Sequence, residues 1–136
     1  MKKIIIAIIG IAIILGVLYV KSGSTSFDNV VSGTPTITSI EIIRGSDDKE
    51  VVIDDKNKVT NLMNGFSMTE LKEKSMGSIE FDESYWITLR ADGKRKFGLT
   101  IYDEKYILVF EYESSKQNSY RIIRGFDSSS IEQYFQ

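Results

Sequence analysis

From Ile4 to Val20 the chain runs seventeen residues without a charged or amide side chain, IIIAIIGIAIILGVLYV, bracketed by Lys2 and Lys3 before it and Lys21 after it. As a helix this run would be about 25 Å long, at the short end of what crosses a hydrocarbon core of about 30 Å. A helix laid against the core of a soluble domain would keep a polar face, and this run has none at any period. The flanking lysines can snorkel to the two interfaces, and Tyr19 suits the interfacial layer. A cleavable export signal has an apolar core of roughly 7–15 residues followed by small residues at the cut. Here the run is longer, and only Val20-x-Ser22 and Ser22-x-Ser24 offer a cleavage pattern. Residues 1–21 therefore read as an uncut signal-anchor, with Lys2, Lys3 and the amino terminus in the cytoplasm and Ser22 onward outside. Secretion after cleavage near residues 22–24 is the alternative.

Ser22 to Pro35, SGSTSFDNVVSGTP, is rich in Ser, Thr and Gly and closes on the only proline. It reads as a flexible tether, residues 22–35, with Phe27, Val30 and Val31 packing on the domain as an extra edge segment as the alternative. Residues 36–136 are then one extracytoplasmic domain, long enough for its own core. Three of the 17 Lys/Arg flank the apolar run, so the rest of the chain carries 14 against 19 Asp/Glu. An acidic domain of this kind does not read as a binder of nucleic acid or anionic lipid.

Within the domain, period-2 alternation starts at Thr36. Ile37 and Ile43 share a face with Ser39 and Glu41, while Ile40 and Ile42 lie opposite; EVVID after a GSDDKE turn completes a hairpin over 37–53. Asp54 or Asp55 can cap a helix whose Val59, Leu62, Met63 and Phe66 form one stripe, with Gly65 as its stop. A short second turn through Met68 and Leu71 and an exposed loop, KEKSMGS, are expected next. SYWITLR and KFGLTIY flank an Asp92-Gly93 hairpin turn, and KYILVFEY, apolar on both faces, reads as the most buried central strand. SYRIIR is the last strand, and Asp127 or one of Ser128 to Ser130 caps a short helix carrying Ile131, Tyr134 and Phe135. The predicted class is α+β: an N-terminal transmembrane helix, then an antiparallel sheet in the order ββ-α-ββββ-α with helices on one face.

The chain holds no Cys and no His. Thiol nucleophiles, imidazole acid–base catalysis and Cys/His zinc sites are thereby ruled out. The acidic run Asp47, Asp48, Glu50, Asp54, Asp55 lacks the alternating oxygens and Gly bend of a calcium loop and reads as a turn and a helix cap. Glu80, Asp82, Glu83, Glu111 and Glu113 are the carboxylates from which a hydrolytic pair would have to come, and Glu111 and Glu113 are predicted on one strand face about 7 Å apart. Ser75 and Ser78 with Lys72 or Lys74 carry no supporting motif, and Lys94-Arg95-Lys96 reads as a solvated hairpin arm. No cofactor or metal is expected. The better lead is aromatic: with the Tyr85 face inward, Trp86 points outward and Tyr102 can join it as a binding platform.

The segments ITSIEII, VVIDDKNKVTNLMNGF, SYWITLR, FGLTIY, KYILVF and YRII, behind a lysine-flanked anchor, resemble the small exported membrane-anchored proteins of unknown function of low-GC Gram-positive bacteria. The resemblance implies an envelope location and no activity. The expectation is a non-enzymatic protein-binding or regulatory module at the cell membrane. An immunity or toxin-neutralising protein is one alternative, and a carboxylate- or metal-dependent hydrolase another.

Overall fold

Alternation decides which side of each strand is buried, and here it selects one face throughout. The computed structural model describes residues 23–31 and 36–136. The apolar run with Lys2, Lys3 and Lys21 lies outside the described residues. Among the described residues no helix is long and apolar enough to cross a membrane. The elements are β1 (Thr25–Ser26), α1 (Phe27–Val30), β2 (Ser39–Arg44), β3 (Glu50–Ile53), α2 (Lys56–Ser67), β4 (Glu70–Glu73), β5 (Ser84–Ala91), β6 (Lys94–Tyr102), β7 (Tyr106–Glu111), β8 (Lys116–Arg124) and α3 (Ser129–Glu132), the last running into a 3₁₀ turn, Gln133–Phe135.

The strands form one antiparallel sheet in the order β1-β4-β8-β7-β6-β5-β2-β3. Ile40 and Ile42 sit opposite Leu89 and Ile87, Ile87 opposite Leu99, Leu99 opposite Val109, and Leu71 opposite Ile122. All of these side chains are buried on the same face. Val59, Leu62 and Phe66 of α2, Phe27 of α1 and Ile131 of α3 join that core. Asp55 caps α2 by accepting from Lys58 N at 3.0 Å. The Asp-Gly pair makes the β5–β6 turn with φ of 51° at Asp92 and 81° at Gly93, the two left-handed residues that a type I′ hairpin requires.

Four expectations need correction. Residues 25–31 do not form a free tether: Thr25 and Ser26 pair with Leu71 and Glu70, and Phe27 and Val31 are buried. The alternative holds instead: Phe27, Val30 and Val31 pack on the domain as an extra edge segment, with Phe27 against Phe66 of α2. The helix α2 passes through Gly65 to Ser67, because its packed stripe extends to Phe66. Leu71 belongs to a strand, β4, not to a turn, so the order ββ-α-ββββ-α omits both β4 and the β1–α1 segment. Finally, β7 is central but fully covered on one side only: Ile107 and Val109 are buried, whereas Leu108 and Phe110 are half-buried.

The C-terminal turn is clamped to the sheet by charge. Arg44 Nη1 donates to Glu132 Oε2 at 2.7 Å, its guanidinium lies 4.6 Å from the Phe135 ring centroid, and Tyr85 Oη donates to Glu132 Oε1. Burial, then this bond to Glu132, pushes the Tyr85 phenol well above its ordinary range. Arg44 also holds Asp47 through two bonds, Nη2 to Oδ2 at 2.6 Å and Nε to Oδ1 at 3.0 Å. Chiefly for that reason the Asp47 carboxyl is held down at about 2. A carboxyl whose folded value lies below its unfolded value of ~3.9 stabilises the fold fully above that pH and loses the contribution as pH falls through the folded value. Asp47→Asn should therefore lower the urea midpoint at pH 7, and its deficit relative to the native chain should shrink between pH 4 and pH 2. A deficit that stays constant across that window would show that the bond to Arg44 depends on geometry and not on charge.

Candidate functional site: the open face of the sheet

No helix of the described residues shares in the other side of the sheet, and the side chains there line up in rows. One row runs Ile43, Trp86, Thr100, Leu108, Ser119; the next runs Glu41, Thr88, Gly98, Phe110, Gln117. Apart from Glu41 and Ser119 at their ends, these residues line a shallow groove of about 360 Å³ that continues to Tyr112. Trp86 forms one wall and is 55% exposed. The other wall is Phe110 and Tyr112, whose rings meet edge to face with centroids 4.9 Å apart. Gly98 leaves the floor low: a Cβ there would lie 3.4 Å from Tyr112 Oη, so the ring lies over the bare backbone.

Of the two aromatic residues expected to make a platform, the structure puts only Trp86 on the groove. Tyr102 is on the same face but one row away, packed on Phe81 with centroids 4.7 Å apart. Ile43, Leu108, Phe110 and Tyr112 are the groove residues that sequence reading missed. For Leu108, Phe110 and Tyr112 the signal was present, since KYILVFEY is apolar on both faces; it was read as burial, while these three side chains face the groove. A strand with large apolar side chains toward solvent is the more informative case.

The carboxylates are placed differently. Asp82, Glu83, Asp103 and Glu104 border a cleft with Tyr85, Lys105 and Ser128. Asp103 accepts from Asp82 N at 2.8 Å and Glu83 N at 2.8 Å, Glu83 from Ser46 N and Ser84 N, both at 3.0 Å, and Glu104 from Ser128 N at 2.7 Å. Asp103, Glu83 and Glu104 thus each close a loop by satisfying backbone donors. Asp127 does the same at the start of α3, where Ser129 N at 2.9 Å holds its carboxyl below the ordinary range. β7 ends at Glu111, so Glu113 lies in the following turn and the two do not share a strand face. Among the described residues no group of three acidic side chains is placed to hold a metal ion.

The chain matches no protein-family model, no curated protein and no solved structure.

Proposed function

We propose that the chain is a membrane-anchored extracytoplasmic module that binds a protein partner through the open face of its sheet, and that it is not an enzyme. The observation that carries this reading is the groove beside Trp86. A large aromatic ring left half in solvent beside further apolar walls is the anatomy of an interface centre, where aromatic anchors supply most of the binding energy. The location rests on the lysine-flanked run Ile4–Val20 and on the resemblance to small exported proteins of low-GC Gram-positive bacteria. Of the carboxylates from which a hydrolytic pair would have to come, Glu83 is engaged with the backbone donors of Ser46 and Ser84, and Glu111 and Glu113 do not share a strand face.

Trp86→Ala should abolish recovery of the partner in a crosslinking pull-down while changing stability by less than about 1 kcal/mol, as a surface truncation does. An unchanged set of crosslinked partners would remove the groove from consideration. Fractionation tests the anchor separately. The full chain should sediment with membranes, and recovery only of a form starting near residue 23 in the medium would replace the anchor by a cleaved signal.

A further inference from the structure

Resting on that reading, we infer that the partner presents an acidic polypeptide segment with an apolar residue between its acids. Although the chain beyond its apolar start is acidic, the open face from β6 to β4 is not. Lys96, Arg121 and Lys72 lie there, joined by Arg95, which the register shift at Leu89/Arg90 brings opposite Arg90 and over Tyr112, and by Lys74 just past β4; among the described residues none of these five makes an ion pair. The acids of these strands are diverted. Glu70 is taken by Arg124, and Glu73 and Glu111 alternate to the other side.

Placement matters more than number. Lys72 stands directly opposite Arg121 across β4 and β8, and Arg121 directly opposite Tyr106, over whose ring Lys74 Nζ lies at 5.7 Å from the centroid. Like charges directly across a strand pair destabilise a sheet unless an anion sits between them. Beyond the far end of the groove, Arg95 lies 5.8 Å from the centroid of Tyr112, with Lys96 beside it in sequence. On β6 the rows run from Tyr102 through Thr100 and Gly98 to Lys96, so the two cationic ends are about 20 Å apart along the strands. An extended chain covers that distance in about six residues. The complement is a short segment with acids at both ends and a Leu, Phe or Trp side chain in the groove. A nucleic acid or a phospholipid surface presents phosphates continuously, and the apolar middle of this face offers them no cation.

Trp86 is the sole tryptophan, so its fluorescence reports occupancy of the groove directly. The full chain in non-ionic detergent is used to select from displayed random peptides of about 12 residues, twice the span just derived. Selected peptides should carry Asp or Glu on both sides of a large apolar residue and shift the Trp86 emission. They should bind at least about tenfold more weakly to the Lys72→Glu/Arg121→Glu chain, and weaken likewise as salt is raised. Lys72→Glu alone should keep or raise the melting temperature, since it turns a repulsive pair into an attractive one, and still reduce binding. Neutral or basic peptides that shift Trp86 emission, or acidic ones indifferent to the charge reversals, would overturn the acidic partner and leave the protein-binding face standing. A selection yielding no peptide sensitive to Trp86→Ala would overturn both. Tighter binding of oligothymidylate or dihexanoyl phosphatidylserine than of the selected peptides, lost on charge reversal, would overturn the peptide in favour of a phosphate ligand.

Discussion

Phe27→Ala should destabilise the domain by about 3–5 kcal/mol, the cost of emptying a fully buried aromatic site. Phe27 is 1% exposed and packs on Phe66 with ring centroids 5.5 Å apart, and Phe66 in turn faces Phe126. Its backbone is fixed as well: Phe27 N donates to Thr69 O at 3.1 Å, and Ser26 caps the turn by accepting from Asn29 N. The loss is large against the roughly 5–15 kcal/mol that holds a domain of this size together. Urea unfolding of the isolated variant, followed by far-UV dichroism and Trp86 fluorescence together, measures it. An unchanged midpoint would mean that residues 25–31 hang from the domain without stabilising it, and the fold would then begin near Ile37.

Gly125→Ala should cost roughly 2–6 kcal/mol, from left-handed backbone strain and from displaced neighbours. Gly125 has φ of +88°, and a Cβ there would fall 2.1 Å from Met68 O and 2.9 Å from Met68 C. Those are backbone atoms at the C-terminal cap of α2, so no rotamer change relieves the overlap. Gly65→Ala is the matched control. It sits inside α2, and its Cβ would meet nothing within 4 Å, so it should stabilise by about 0.5–1 kcal/mol through helix propensity. If both substitutions shift the midpoint alike, the close crossing at Gly125 is wrong. A Gly125→Ala chain too unstable to titrate, beside a normal Gly65→Ala chain, meets the expectation.

Much of the fold was legible before any coordinate. The stripe Val59, Leu62, Phe66, the Asp92-Gly93 turn and the four strands from Ser84 to Arg124 follow from local rules, because each depends on neighbours a few residues away. β4 was not legible: ELKE has one apolar residue, Leu71, and becomes a strand only because β8 offers it a ladder. The β1–α1 segment was legible only as the alternative to a tether, an extra edge segment carrying Phe27, Val30 and Val31, since a two-residue strand and a four-residue helix carry no period.

The groove shows the limit most clearly. Sequence by itself placed Trp86 on the face opposite Tyr85, because successive strand side chains must point to opposite sides. It also settled the chemistry available to the chain, with no thiol and no imidazole anywhere. It could not say that the second apolar face of β7 stays open. Nor could it say that Phe110 and Tyr112 rather than Tyr102 stand across from Trp86, or that Lys72 meets Arg121. Those facts are pairings between residues tens of positions apart, and register across a sheet is set by the packing of the whole core. Composition assigned the chain an acidic surface; the tertiary structure decided which face of it is cationic.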